Sequence, residues 1–430
     1  MTFRLKAGFS FGGWVEQIIN QNKAHEQLPD GILPFSDEYF LFKAFLSSME
    51  NACIANPNPS VGCLIVNNNQ IISYGCTERW GARHAERVAF AKLTPDLLEN
   101  SSIYVTLEPC THTGRQPPCV ELFKDKNIKK VVIGCTDPNP IVAGQGIKIL
   151  KSLGLAQVNL SFANEIKAFN YPFFIQQQKK RPFYALKWAQ TLDGCLADDF
   201  NGWKWISGET SRKYTHWLRQ KYDAILVGAG TVLNDFPSLD VRELNFENCR
   251  DPIKMIFDPS GKILNCSSNQ QKKLKEKTLK SNQKIILFIC EKILQKFKNN
   301  NDNKWLKFLF ENEAFTIIQI NTNLAVTESI QVAIENIDFL QHFGRPLQSI
   351  LVEGGPRLLS AFIDENNFDL IHLFIAPFFL GGEKNRLFSK ITQSLTKNEI
   401  KEIDKEKRYY IANKIFLNND ILLEIVQNDS

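Results

Sequence analysis

Short apolar runs alternate with stretches of helical periodicity along most of this chain. Apolar runs bounded by turn residues predict buried strands, whereas apolar residues repeated every three or four positions predict helices. In the first part of the chain, strands are expected at 61–66, 70–74, 102–107, 129–134 and 156–161, and helices at 37–53, 84–92, 119–126, 145–152 and 165–180. This alternation predicts a three-layer α/β domain that ends near residue 160.

A second series of buried strands is expected at 183–188, 224–228, 253–257, 284–289, 315–320, 349–353 and 370–377. Together with a helix expected at 357–363, this series predicts a second α/β domain. We therefore divide the chain into an N-terminal extension (1–35), a first domain (36–162), a connecting helix and linker (163–180) and a second domain (181–430).

The composition narrows the class of protein. The chain has 430 residues and a formal net charge of only +5, so its charge does not call for a nucleic-acid partner. No window approaches the roughly 18 apolar residues of a membrane-spanning helix, and the ten cysteines lack the spacing of a secreted disulfide scaffold. We expect a cytoplasmic homo-oligomer that binds neither nucleic acid nor membranes.

The chemically most informative residues are His84, Glu86, Cys110 and Cys119. One imidazole and two thiols fill three corners of a zinc tetrahedron and leave the fourth for water, as in catalytic zinc sites. Bound zinc lowers the pKa of that water from 15.7 to about 7, and a carboxylate that is not a ligand can carry the proton to a leaving group. The pattern predicts hydrolytic deamination, with Glu86 as the catalytic acid and base.

These residues are similar to the His-x-Glu and Pro-Cys-x-x-Cys signature of zinc nucleobase deaminases, from which the four roles are taken. The chain departs from that signature because eight residues separate Cys110 from Cys119 where the signature has two. His112, inside this loop, is an alternative ligand that we interpret as a loop residue. We expect two helix starts, at His84 and after Cys110, to present free N–H groups that favour thiolates.

Longer motifs resemble the bifunctional riboflavin biosynthesis deaminase-reductase family. They are Asn-Pro-Asn-Pro-Ser-Val-Gly-Cys at 56–63, Pro-Cys-x-x-x-Gly-Arg-x-Pro-Pro-Cys at 109–119, Lys-Trp-Ala-Gln-Thr-Leu-Asp-Gly at 187–194 and Val-Glu-Gly-Gly-Pro at 352–356. The resemblance implies a cytidine-deaminase-like zinc domain followed by a dihydrofolate-reductase-like domain that uses NADPH. It implies deamination of a phosphoribosyl diaminopyrimidinone, then reduction of the ribosyl group of the resulting uracil to ribityl.

The resemblance also implies binding residues. Asn58 would contact the pyrimidine. Cofactor contacts would come from Ala189, Trp205, Thr231, Asp235, Gly355, Pro356, Arg357, Leu358, Leu359, Ser360 and Ala361. Contacts to the sugar-phosphate substrate would come from Trp203, Arg219, Leu239, Arg242 and Glu353. Lys187 and Asp193 would position or protonate the sugar ring oxygen, or else form a structural ion pair.

Two other functions stay open at the level of sequence. A base-editing deaminase with an RNA-binding second domain would have basic clusters near its metal loop, where Arg79, Arg83, Arg87 and Arg115 occur. A phosphorylated small substrate explains these arginines more simply. The other alternative is a zinc-stabilised scaffold without activity, which would lose nothing on substitution of Glu86.

Overall fold

The computed structural model describes residues 31–52, 54–140, 142–197, 205–242, 250–279, 284–298, 304–381 and 409–427. The chain forms two compact units that divide between Pro182 and Phe183. Each unit is built around one β-sheet with helices, which confirms the predicted α/β class. Residues 1–30, most of the expected N-terminal extension, lie outside the described residues.

The first unit contains a five-stranded sheet in the order β2-β1-β3-β4-β5. Its strands are β1 Gly62–Asn67, β2 Gln70–Cys76, β3 Ser102–Val105, β4 Lys130–Ile133 and β5 Ala156–Val158. Its helices are Asp37–Ser48, Ala85–Phe90, Pro95–Leu98, Gln145–Ser152, Ala163–Phe169 and Tyr171–Lys179, with 3-10 turns at Met49–Asn51 and Cys119–Phe123. Strand β1 pairs antiparallel with β2 and β3, whereas β3, β4 and β5 run parallel.

Two glycines show how helices cover both faces of this sheet. A Cβ on Gly62 would lie 1.8 Å from the Ala44 carbonyl oxygen, and a Cβ on Gly75 would lie 2.4 Å from that of Ala85. Gly75 pairs with Cys63, the neighbour of Gly62, so the two glycines face opposite sides of the sheet. The helices Asp37–Ser48 and Ala85–Phe90 therefore sandwich the sheet, as the predicted three-layer domain requires.

The second unit contains a nine-stranded sheet in the order β10-β9-β8-β7-β11-β6-β12-β14-β13. Its strands are β6 Phe183–Thr191, β7 Ala224–Gly228, β8 Ile253–Phe257, β9 Ile285–Cys290, β10 Phe315–Ile320, β11 Ser349–Val352, β12 Leu370–Ala376, β13 Tyr409–Leu417 and β14 Asp420–Gln427. Its helices are Glu209–Lys221, Ala229–Asp235, Ser268–Lys273, Glu291–Lys298, Lys304–Glu311, Val326–Glu335, Phe339–Phe343 and Pro356–Asp364, with a π-helical turn at Leu274–Thr278.

Seven strands of this sheet, from β10 to β12, are parallel, and β14 and β13 extend it in antiparallel fashion. Alternate residues of one strand feed two separate cores: Leu226 packs in one, and Ile225 and Val227 pack in the other. A parallel sheet covered on both faces leaves its carboxyl edge for ligands.

The structure corrects several predicted elements. The helix predicted at 165–180 is two helices, because Asn170 leaves helical geometry and its side chain bonds the backbone of Ser60. The helix predicted at 37–53 ends at Ser48 and continues as a 3-10 turn to Asn51. The segment predicted as a helix at 119–126 is a 3-10 turn, Cys119–Phe123.

The strands β13 and β14 were not predicted, although they complete the edge of the second sheet. Among the described residues, no helix combines the length and the apolar character that a membrane crossing needs.

Candidate active sites

Three side chains of the first unit meet at one point. His84, Cys110 and Cys119 each offer a ligand atom, and these atoms all lie within 4.8 Å of one another. The His84 Nδ1 lies 3.6 Å from the Cys110 Sγ and 3.4 Å from the Cys119 Sγ. One nitrogen and two sulfurs at this spacing fit the donor set of a zinc ion. His112, the alternative ligand, is exposed and is not part of this group.

Each ligand is positioned by a different local element. His84 is the N-cap of the helix Ala85–Phe90, in extended geometry, and Cys119 begins the 3-10 turn. Cys110 follows β3 in a loop, so the predicted helix start directly after Cys110 is wrong. The Cys110 sulfur instead accepts a hydrogen bond from the backbone N–H of Cys119, at 3.3 Å. This single backbone N–H group stabilises the Cys110 thiolate, the effect that was expected from a helix N-terminus.

The pKa values of the two thiols are shifted in opposite directions. Hydrogen bonds from the Cys119 thiol and His84 lower the pKa of Cys110 far below its usual range, although burial opposes this. The bond to Cys110 and burial raise the pKa of Cys119. Two neighbouring sulfurs cannot both ionise cheaply without a cation between them. This is the charge pattern that a divalent metal would complete.

Glu86 lies beside this group without belonging to it. The side chain is only 4% exposed, and Cys119 is within hydrogen-bonding reach of its carboxyl. Its oxygens are not among the ligand atoms that lie within 4.8 Å of one another. Burial, and then the negative charge of Cys110, raise the pKa of Glu86. A carboxyl with a raised pKa is suited to exchange protons near neutrality.

Two interactions order the loops around the ligands. The Arg87 guanidinium donates to the carbonyls of Pro117 and Pro118, with its Nη2 at 3.0 and 3.1 Å, and so fixes the approach to Cys119. Glu108, which the sequence analysis did not include among the candidate residues, is 3% exposed and accepts hydrogen bonds from the backbone N–H groups of Asp137, Gly144 and Ile147. In the sequence, the feature that could have identified Glu108 is its position as an acidic residue directly before Pro109-Cys110.

Asn58 lies in the loop before β1. Its backbone N–H donates to the Ala55 carbonyl at 3.0 Å. Within the described ranges its side-chain amide has no hydrogen-bond partner, so the donors and acceptor that a pyrimidine edge would need are available.

In the second unit, two glycine turns lie at the carboxyl edge of adjacent strands. Gly228 ends β7 and precedes the helix Ala229–Asp235, while Gly355 caps the helix Pro356–Asp364 after β11. A Cβ on Gly355 would lie 3.0 Å from the Thr231 Oγ1. Each turn alone is weak evidence for a binding site. Together the turns at Gly228 and Gly355 bring two helix N-termini to one place, and we call this pair of turns the glycine cradle. Free N–H groups at helix N-termini are suited to bind a phosphate.

The remaining predicted cofactor residues differ in their accessibility. Ala189 lies on β6, and Trp205 is 50% exposed, with the Arg212 guanidinium 5.2 Å from its ring centroid. Arg357 is exposed and Ala361 and Pro356 are half-buried, whereas Leu358, Leu359 and Ser360 are buried. Burial raises the pKa of Asp235, at the end of its helix.

Two predicted substrate residues are paired with each other. The Arg219 Nε and Nη2 each lie 2.8 Å from an oxygen of Glu353, and both side chains are 12% exposed. Although burial opposes ionisation, Arg219 lowers the pKa of Glu353 to about 2. The fork of Arg219 is therefore occupied by a carboxylate that is charged at neutral pH.

Arg242 and Leu239 lie on the segment after that pair. Arg242 is exposed and its Nη1 contacts Asp240 at 2.5 Å, with Ser238 also bonded. Leu239 is buried and has a positive φ of 52°. Trp203, the fifth predicted substrate residue, lies outside the described residues.

Lys187 and Asp193 have different surroundings. Lys187 is on β6 with its Nζ 5.2 Å from the Phe374 ring centroid, and burial lowers its pKa against the pull of Glu353. Asp193 accepts the backbone N–H groups of Leu380 and Gly381, at 3.2 and 2.8 Å. A hydrogen bond from Thr191, and then these N–H groups, lower the pKa of Asp193. The carboxylate thus orders a turn.

Comparisons with known proteins agree with both units. The family model described as the RibD C-terminal domain matches residues 182–408. The model described as the cytidine and deoxycytidylate deaminase zinc-binding region matches residues 35–135.

Whole-length relatives and solved structures are also similar. The riboflavin biosynthesis protein RibD of Actinobacillus pleuropneumoniae is 32% identical over 91% of this chain and 95% of its own length. That of Aquifex aeolicus is 33% identical over 80% and 88%. A diaminohydroxyphosphoribosylaminopyrimidine deaminase/5-amino-6-(5-phosphoribosylamino)uracil reductase from Thermotoga maritima is 30% identical, with a TM-score of 0.71 over 91% of this chain and 99% of that one.

These matches settle the cofactors and the class of protein. The first unit is a zinc-binding deaminase domain with a His/Cys/Cys site, and the second is a reductase domain that uses NADPH. Since relatives at 32% and 33% identity cover most of the chain, it belongs to the RibD family of bifunctional riboflavin biosynthesis enzymes, a deaminase and a reductase on one polypeptide.

Proposed function

We propose that the chain deaminates 2,5-diamino-6-(5-phosphoribosylamino)pyrimidin-4(3H)-one and then reduces the ribosyl group of 5-amino-6-(5-phosphoribosylamino)uracil to ribityl. The name of the Thermotoga maritima protein, which has the same fold, supports these two substrates. The observation that carries the first step is a buried carboxyl, Glu86, beside three zinc-type ligands.

The deaminase residues have distinct proposed roles. Zinc held by His84, Cys110 and Cys119 would act as a Lewis acid and make water nucleophilic near neutral pH. Glu86 takes the proton that water gives up and passes it to the departing amino nitrogen. A C–O bond forms at the amino-bearing ring carbon, a C–N bond breaks, and ammonia leaves. Asn58 orients the pyrimidine through its side-chain amide.

In the reductase, the cofactor residues proposed are those of the glycine cradle and its surroundings. NADPH would supply the hydride for the anomeric carbon of the ribosylamine. The turns at Gly228 and Gly355, with Thr231 between them, bind its phosphates, and Ala189, Trp205 and Asp235 contact the rest. This assignment is supported by the closeness of the two turns, since a Cβ added to Gly355 would lie 3.0 Å from the Thr231 Oγ1.

The substrate side of the reductase is proposed to be divided between two arginines. Arg219 forms an ion pair with Glu353. It therefore contributes to sugar binding indirectly, by holding the Glu353 carboxylate in position. Arg242, which is exposed and pairs with Asp240, binds the substrate phosphate in exchange for that partner, since a guanidinium forms charge-assisted bonds with a phosphomonoester. Lys187, half-buried on β6 and within electrostatic reach of Glu353, would protonate the ring oxygen as the sugar opens.

We expect Arg242→Ala to raise the KM for the phosphorylated uracil substrate roughly tenfold to a hundredfold, the usual loss for a hydrogen bond to a charged group. The KM for NADPH should change little. Steady-state kinetics with each substrate varied in turn measures both values, and Lys307→Ala, an exposed cation on the helix Lys304–Glu311, is the control. Equal increases in the two KM values would reject the assignment.

Product analysis tests the whole proposal. Purified protein is incubated with the diaminopyrimidinone substrate in the presence and absence of NADPH, and the masses of the products are measured by mass spectrometry. Exchange of an amino group for oxygen should add about one mass unit without cofactor, and hydride transfer should add about two more with it. An unchanged substrate in the presence of zinc would reject the proposed function.

We propose the same domain limits that the sequence predicts: a deaminase domain at 36–162, a connector at 163–180 and a reductase domain at 181–430. The division of the chain between Pro182 and Phe183 supports the start proposed for the reductase domain.

We propose that the protein is a homo-oligomer that associates through β13. This strand ends the described sheet, and its Ile411 and Phe416 are 57% and 59% exposed. An exposed apolar edge strand is a template for pairing with another chain. Light scattering of the purified protein measures the mass, and a monomer at working concentration would reject the idea.

We also propose a cytoplasmic location. The eight described cysteines outside positions 53 and 249 are free thiols, as expected in a reducing compartment. Cell fractionation with detection of the chain in a membrane or secreted fraction would contradict it.

A further inference from the structure

We propose that Trp80 is a positioning residue of the deaminase site, which holds the Arg115 guanidinium in place to bind the phosphate group of the substrate. The inference rests on the proposed function, because it presupposes a phosphorylated pyrimidine nucleoside as the compound that is deaminated.

Trp80 and Arg115 are stacked. The Arg115 Cζ lies 3.9 Å from the centroid of the Trp80 ring, a distance at which a cation is attracted to the ring face. Gly81 allows this approach, since it has a φ of 85° and an added Cβ would lie 3.2 Å from the Arg115 Nη1. The guanidinium therefore lies against the indole and close to a backbone position without a side chain.

The two loops that carry this pair are tied to each other. The Gln116 side-chain amide donates to the Gly81 carbonyl at 3.2 Å. Arg87 holds the other end of the same loop through the Pro117 and Pro118 carbonyls. The stack is consequently part of an ordered structure, which reduces the conformational entropy that Arg115 would lose on binding an anion.

The stack lies next to the zinc ligands along the chain. Trp80 is four residues before His84, and Arg115 is four residues before Cys119. Four residues span at most about 14 Å, so both side chains are within reach of a nucleotide-sized ligand whose base is at the metal group. The substrate phosphate is separated from its pyrimidine by one ribose, a length comparable with the span between the metal group and the Trp80–Arg115 stack.

Arg115 is also available to an anion. The side chain is exposed, and none of the described carboxylates is paired with it. Two neighbouring arginines are already engaged: Arg83 pairs with Glu78 at 2.7 Å, and Arg87 binds the loop carbonyls. A planar fork of free donors held on an aromatic ring suits the nearly two negative charges of a phosphomonoester.

The test compares phosphorylated with dephosphorylated substrate. Ammonia release is measured on the full-length zinc-loaded enzyme with the diaminopyrimidinone ribotide and with the matching riboside. The variants are Trp80→Ala, Trp80→Leu, Arg115→Ala and the double variant Trp80→Ala/Arg115→Ala. Lys126→Ala is the control, because Lys126 is an exposed cation of the same unit outside the two loops that carry the stack.

We expect Arg115→Ala to raise the KM for the ribotide roughly tenfold to a hundredfold, and either Trp80 variant to raise it about fivefold. The kcat should be nearly unchanged, and the riboside should show far smaller effects. The double variant should be no worse than Arg115→Ala alone, because Trp80 acts only through Arg115. Lys126→Ala should resemble the wild type.

Several outcomes would overturn the inference. Equal losses for ribotide and riboside in the Trp80 variants, or a lower zinc content, would show a purely structural role. Additive effects in the double variant would show that Trp80 does not act through Arg115. If the wild-type enzyme deaminated the riboside as efficiently as the ribotide, the proposed phosphate site would be rejected, whereas the proposed deamination would still stand. A wild-type enzyme that deaminates neither compound would reject the proposed function itself.

Discussion

We expect the Glu86→Gln variant to bind zinc as the wild-type chain does and to lose deaminase turnover by about 10²- to 10⁴-fold, the usual contribution of a positioned acid and base. Glutamine has nearly the same shape and keeps a hydrogen-bond acceptor, but it cannot take up or release the proton. The loss should therefore appear in kcat and much less in KM, because the interaction belongs to the transition state.

The measurement combines ammonia release with zinc content of the purified variant. NADPH-dependent reduction of the already deaminated substrate, in the same preparation, is the internal control for folding. Loss of zinc together with activity would mean that Glu86 is a ligand that closes the metal site. Unchanged turnover would show that Glu86 is not the catalytic acid and base, and absence of turnover in the wild-type chain as well would favour the inactive scaffold.

We expect Cys110→Ser to weaken zinc binding and to reduce ammonia release to background, a larger loss than that of Glu86→Gln. The Cys110 sulfur is the thiolate that the Cys119 backbone N–H and His84 stabilise, and a serine hydroxyl is far less acidic and a poorer zinc ligand. The reductase activity should persist, because the metal group belongs entirely to the first unit.

Cys135→Ala is the matched control for this variant. Cys135 is a buried free cysteine of the same unit outside the metal group, so its replacement should cost some stability and leave zinc content intact. If Cys110→Ser abolished both activities while the chain stayed folded by circular dichroism, the proposed separation of the two sites would be wrong.

The sequence identified the zinc chemistry because that information is carried by residue types and short spacings. An imidazole, two thiols and a spare carboxyl restrict the chemistry before any fold is known. The same holds for the central strands β7 and β8, whose buried and largely apolar runs have bounds that the structure confirms. Buried parallel strands are read well because both faces must be apolar.

Local periodicity was insufficient where a distant contact decides. The predicted helix 165–180 breaks at Asn170, whose side chain bonds Ser60 more than a hundred residues away. The strands β13 and β14 were missed because neither is a continuous buried run: β13, which ends the described sheet, mixes exposed with buried positions, and β14 mixes buried with half-buried ones. Edge strands carry a weaker apolar signal than central ones.

By itself, then, the sequence determined which elements can bind zinc, move a proton and surround a phosphate. Only the tertiary structure decided which charges neutralise each other and which stay available: it pairs Arg219 with Glu353 and stacks Arg115 on Trp80. The physical reason is that an ion pair or a cation–π contact depends on distances of a few ångströms between segments far apart in the chain, and no local pattern of residues encodes such distances.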